Sequence, residues 1–199
     1  DREAVARAFD LNLDHPILLI MGGGGGFGQL RDIILNLDTL PHPCQLVILT
    51  GTNRPLLAWL QAQRFRHRVI PLSYTDQVPQ LMSIATLLVS KPGGLTTSEA
   101  LAKRLPLVIV NPIPGQEAYN ARFLLSQSAA VQATSTETVR QTVRDLLENP
   151  EQVEALRRRN GELAHPTAAW DIATFLCQLA DGRRDAHATT PQTVGGTRP

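Results

Sequence analysis

Between Ser90 and Asn120 the chain sets out, in order, a Pro92-Gly93-Gly94 turn, hydroxyls at Thr96, Thr97 and Ser98, the carboxylate of Glu99, and, beyond a second apolar run, Gln116, Glu117 and Asn120. Gly93 and Gly94 leave backbone N–H groups uncovered where a helix begins, and the orphan donors and dipole of a helix start favour an anion. The three hydroxyls add donors. Glu99 would repel that anion unless it faced a neutral part of the same ligand. A vicinal diol fits, because two adjacent hydroxyls can donate to both carboxylate oxygens. The simpler reading makes Glu99 a first-turn complement to the helix dipole, worth about 0.3–1 kcal/mol. Both readings stay open at this point.

Two further stretches belong with the first. In "NPIPGQEAYNARF", Asn111 to Phe123, two prolines stiffen a turn, after which Gln116, Glu117 and Asn120 fall within about one helical turn of each other. An amide and a carboxylate there offer what a sugar's hydroxyls require, although Gly115 and Glu117 would also make an ordinary helix start. In "MGGGGGFGQL", Met21 to Leu30, Gly23, Gly25 and Gly28 satisfy G-x-G-x-x-G, a backbone cradle for phosphate at a helix N-terminus. A flexible turn would need only one or two of those glycines. No carboxylate closes the second strand, where "LTGTN" stands, as the ribose of a bound NAD would want. Gln29 follows Gly28, which excludes a Walker-type loop.

The elements that must position these groups alternate along the chain. Ile17 to Met21 is a continuous apolar run, as expected of a strand buried on both faces, and Leu30, Ile33, Ile34 and Leu37 follow at helical spacing. "QLVILT" is a second strand, and Pro55 stands near the start of the helix after it. "RVIPL", "TLLVS" and "PLVIV" repeat the strand signal. Strands and helices in alternation with short links predict an α/β fold, a doubly wound parallel sheet. In such a sheet ligands sit beyond the carboxyl ends of the strands, where all three stretches fall. Thr136–Glu148, Glu151–Ala164 and Thr167–Ala180 read as helices, and from Asp181 to Pro199 no apolar period remains, so a disordered tail is expected there. Residues 1–180 would then form one domain.

Composition limits the partners. The 199 residues carry 19 Lys+Arg against 18 Asp+Glu, so net charge gives no argument for nucleic acid, and "RFRHR" and "RRR" read as solvated faces. Two cysteines and five histidines form no metal-ligand pattern and no disulfide framework, which points to a reducing cytoplasm. "PILLIM" is far too short to span a bilayer, which takes about 20 residues, so membrane contact is expected to be peripheral.

"SKPGGLTTSEALAKRLPLVIVNPIPGQEAYNARFLL" resembles the donor-binding signature of family 28 glycosyltransferases, and "KPGGLTTSEAL" with "NPIPGQE" resembles the diacylglycerol branch of that family more closely than MurG. The resemblance runs from about Ala4 to Leu179. It implies one half of a GT-B fold, the half that holds a UDP-sugar, with the glycines Gly25, Gly26 and Gly28, the turn Gly93 and Gly94, and Leu95 and Thr96 against the diphosphate. Glu99 would bind the ribose hydroxyls, Tyr74 would stand near the uracil, and Gln116, Glu117 and Asn120 would serve the hexose. The implied chemistry is inverting transfer of a hexose to a lipid such as diacylglycerol, without cofactor or metal. The general base would come from an N-terminal acceptor domain, in the same chain or a separate subunit, working peripherally at the inner face of the membrane. A UDP-GlcNAc-using enzyme of the same fold, a MurG-like transferase or an epimerase, and a non-catalytic nucleotide-binding module are the alternatives.

Overall fold

The computed structural model of the chain describes residues 1–22 and 29–188. It divides into two compact units, 1–164 and 165–199. In the first, six parallel strands form one sheet in the order β3-β2-β1-β4-β5-β6. They are β1 (Ile17–Met21), β2 (Gln45–Leu49), β3 (Arg68–Leu72), β4 (Leu87–Ser90), β5 (Leu107–Val110) and β6 (Ala130–Ala133). The helices are α1 (Arg2–Ala8), α2 (Leu30–Leu37), α3 (Arg54–Ala62), α4 (Val78–Ile84), α5 (Gly94–Ala102), α6 (Gln116–Ser126), α7 (Thr136–Leu147) and α8 (Pro150–Leu163). The strand order reverses between β1 and β4, the Rossmann arrangement with its crevice at that switch point.

The continuous apolar runs have a direct cause. Alternate residues of each inner strand enter separate cores on the two faces of the sheet. Leu18, Ile20, Leu46, Ile48 and Val89 pack with α2, α3 and α7, while Ile17, Leu19, Val47, Leu88 and Ile109 pack with α4, α5 and α6. No polar face is left to interrupt the pattern. Pro71 lies in β3, which pairs with β2 alone, so its missing N–H removes no ladder bond on the open edge. The turn before that strand is held from below by Asp38, whose carboxylate accepts from the N–H groups of Arg66 and His67 at 2.9–3.0 Å. Cys44 is buried beside the start of β2. Burial, with the Asp38 charge adding to it, pushes its thiol up to about 12.

The last helices follow the expected spans with one difference. Pro150 opens α8 with Asn149 as its cap, accepting from Gln152 N at 3.1 Å, which is where a proline fits a helix. In the second unit, α9 runs from Ala168 to Ala188, so Asp181–Ala188 is helical where a tail was expected. Propagation onto Arg, Asp and Ala residues costs little once a helix exists, and the loss of apolar period does not stop it.

Candidate functional site

The carboxyl ends of β1 and β4 are joined by a side chain: Ser90 Oγ donates to the carbonyl of Met21 at 3.0 Å, in a strand end that is buried. Directly after Ser90 the chain turns through Pro92 and enters α5. Gly93 is the N-cap residue, in extended backbone, and no side chain caps the helix. The first N–H groups of α5 are therefore left without an intrahelical acceptor. Nine residues long and aimed at the crevice, α5 brings partial positive charge to the switch point.

The hydroxyls near that helix start separate into different roles. Ser98 Oγ donates to Gly94 O at 3.0 Å and is spent on the helix itself. Thr97 Oγ1 is enclosed without a partner among the described residues. Thr96 alone of the three lines an open cleft of about 360 Å³, together with Glu99, Leu95 and Tyr74. The cleft floor is apolar, made by Met21 and Leu49 at the ends of β1 and β2 and by Val78 at the start of α4, with Gly51, Ser73 and Thr75 completing the wall. Tyr74 and Leu95 are 80% and 82% exposed, so both stand at the lip.

Glu99 is half-buried in this wall, and it is not where the dipole reading needs it. Counting from Gly94, it lies in the second turn of α5, and the first turn carries no acidic residue. The dipole's influence fades within the first turn. It lines the same cleft as Thr96 and Tyr74.

The second loop approaches the same helix start. A Cβ on Gly94 would stand 3.4 Å from Gln116 Nε2, so Gln116 lies against the head of α5 and Gly94 leaves it room. Asn120 Nδ2 donates to Pro92 O at 2.9 Å, tying α6 to the β4–α5 turn. Glu117 is partly committed, since its Oε2 accepts from Ile113 N at 2.8 Å and closes the loop. Gly115 caps α6 at φ 102°, a conformation other residues rarely adopt. Gln116 and Asn120 are thus gathered beside the turn Pro92–Gly94, while Glu117 is held by its own loop. Gly25, Gly26 and Gly28 lie outside the described residues. The residue after them, Gln29, is placed: Asn111 Nδ2 donates to Gln29 Oε1 at 2.6 Å, joining the loop after β5 to the start of α2.

Sequence reasoning missed Asn111, Ser90 and the apolar floor. Asn111 has φ 42°, and asparagine directly after an apolar strand is a weak signal for such a left-handed position. Met21, Leu49 and Val78 carry no signal that separates them from core. Among the described residues no group of His, Cys, Asp and Glu could hold a metal ion, and no helix is long and apolar enough to cross a membrane.

Residues 17–171 match the family model described as the glycosyltransferase family 28 C-terminal domain. The processive diacylglycerol beta-glucosyltransferase of Staphylococcus haemolyticus is 28% identical over 183 residues, 91% of this chain and 47% of that protein. The enzyme of the same name from Staphylococcus saprophyticus is 32% identical over 184 residues, 90% of this chain and 46% of its own length. The chain therefore spans about half the length of the curated relatives it matches. Among solved structures, MurG of Acinetobacter baumannii superposes with a TM-score of 0.68 at 19% identity, over 89% of this chain and 53% of that one. This places the sheet described above in the GT-B architecture.

Proposed function

The chain belongs to glycosyltransferase family 28, whose C-terminal domain it carries, and on that footing we propose that it holds the UDP-sugar donor for an inverting hexosyl transfer onto a lipid such as diacylglycerol. The observation that carries this reading is the uncapped start of α5 with Glu99, Thr96 and Tyr74 on one cleft wall beside it. The diphosphate lies against the N–H groups of Gly94, Leu95 and Thr96, the ribose diol donates to Glu99, and the base enters the apolar floor under Tyr74. The hexose then reaches Gln116 and Glu117. The names of the relatives make glucose the first hexose to test.

In this reading the acceptor hydroxyl attacks the anomeric carbon as UDP leaves, and negative charge grows on the departing diphosphate. Preorganised N–H donors at a helix start stabilise charge where it develops, which is how α5 assists departure without a metal. The proton of the acceptor hydroxyl goes to a base supplied by a partner domain across the cleft. The whole enzyme works peripherally at the membrane that supplies its acceptor.

Calorimetric titration of the chain with UDP, UDP-glucose, UDP-galactose, UDP-GlcNAc and NAD tests the reading. UDP and at least one UDP-sugar should bind and NAD should not. Equal affinity for NAD and UDP would make the chain a general nucleotide-binding module. Incubated with donor and diacylglycerol micelles, the chain alone should yield no glycolipid, because the orientation of two substrates, worth roughly 7–11 kcal/mol of barrier, needs both walls of the cleft.

A further inference from the structure

Two hollows of about 670 and 610 Å³ open side by side at the amino-terminal ends of β5 and β6, at the opposite end of the sheet from the donor cleft. Their shared walls are rich in cations. Lys103 and Arg104 come from the link between α5 and β5, and Arg157, Arg158 and Arg159 from α8. Arg159 is already engaged, donating to Gln127 O at 2.8 Å and Gln127 Oε1 at 2.6 Å and pairing with Glu162 at 2.9 Å. The side chains of Lys103, Arg104, Arg157 and Arg158 have no ion-pair or hydrogen-bond partner among the described residues. Among the described residues, Glu154 is the one carboxylate on these walls besides the Glu162 that pairs with Arg159, so four cations face a single unpaired acid.

The fold brings these cations together rather than spreading them. Arg104 sits at φ 53°, and a Cβ on Gly161 would stand 2.8 Å from Arg104 Nε. The bare face of Gly161 is what lets Arg104 lie across α8, next to Arg157 and Arg158. Like charges held this close repel one another, and a polyanion laid across them relieves that cost. Among the described residues no aromatic side chain lines either hollow, so they offer no platform on which unpaired bases stack. The relatives are named for diacylglycerol, a bilayer lipid.

We propose that Lys103, Arg104, Arg157 and Arg158 form a docking surface for the phosphate headgroups of an anionic bilayer. This rests on the reading that the enzyme works peripherally on a lipid acceptor, and it names the surface that makes the contact. The attraction is long-range and screened by salt. A cation near an anionic membrane surface contributes about fivefold to partitioning, so neutralising all four should cost a few hundredfold.

Vesicle flotation tests this with the 199-residue chain and a variant carrying Lys103→Gln, Arg104→Gln, Arg157→Gln and Arg158→Gln. Vesicles are phosphatidylcholine alone or phosphatidylcholine with phosphatidylglycerol, at low and high salt, and each preparation is also titrated with UDP. The expected result is binding that requires phosphatidylglycerol, falls with salt, and is lost in a variant that still binds UDP. Three results would overturn the surface: equal partitioning of variant and parent, parent binding to neutral vesicles that resists salt, or parent binding that inorganic phosphate abolishes at matched ionic strength. Preference of the parent for single-stranded RNA over the anionic vesicles would do the same. Should the variant fail to fold, the salt and lipid dependence of the parent decides. Vesicle binding by a parent that does not bind UDP would leave the docking surface standing and remove the donor reading.

Discussion

Replacing Glu99 by alanine separates a ligand-binding carboxylate from a helix-stabilising one. In the second turn of α5 the side chain is too far along the helix to gain from its dipole, and it makes no hydrogen bond or ion pair with the other described residues. Alanine is the best helix former, so the folded state should lose nothing measurable. The ligand should lose hydrogen bonds to a charged group, worth about 1.5–3 kcal/mol. With 1.36 kcal/mol per tenfold, that is roughly a ten- to 150-fold rise in the Kd for UDP. Glu99→Gln keeps the shape and one acceptor and should fall between the two. Calorimetry gives the affinity and thermal unfolding the control. A folded Glu99→Ala chain with unchanged UDP affinity would refute the ribose assignment and with it the placement of the nucleotide in this cleft.

Gln116→Ala should leave UDP affinity unchanged and weaken the UDP-sugar, since only the hexose reaches the loop that Gln116 heads; titration with both ligands checks it, and equal losses would count against the assignment. Gly115→Ala forces a side chain into φ 102° and should cost about 1–3 kcal/mol in urea unfolding, with UDP-sugar affinity falling as the loop shifts. Cys44 should resist thiol reagents in the native chain, while the exposed Cys177 reacts; a colorimetric thiol titration should give one reactive group folded and two unfolded. The same burial has a pH signature. The folded thiol keeps its proton up to about 12 whereas the unfolded one releases it near 9.0, so the folded state binds more protons and stability should fall as pH rises through that window. The fall should be shallower in Cys44→Ala.

Much of the sheet could be read directly because four of its strands are buried on both faces, and Ile17–Met21 is the plainest instance. β6, "AVQA", was invisible: it is short, half alanine, and lies at an edge where one neighbour suffices. The site was legible where chemistry is concentrated in one stretch, as at Gly93–Glu99. It was not legible where a residue's role depends on who approaches it. Glu117 gives an oxygen to Ile113 N, Ser98 turns back onto Gly94, and Asn111 reaches Gln29 across the two halves of the sheet. Each is a polar residue at a helix or strand end, and the sequence does not say which partner the fold will deliver.

The pairing of β1 with β4 also sets an order of events during synthesis. Met21 and Ser90 are 69 residues apart, and at roughly 5–20 residues per second the ribosome takes about 3–14 s to make the intervening chain. β2 closes one side of β1 early, but until β4 emerges the other side of an entirely apolar strand is an open edge, the kind that templates aggregation. The innermost joint of the sheet thus closes only after β2 and β3 have been made, and a nascent chain halted before Ser90 offers a sticky half-sheet with no crevice.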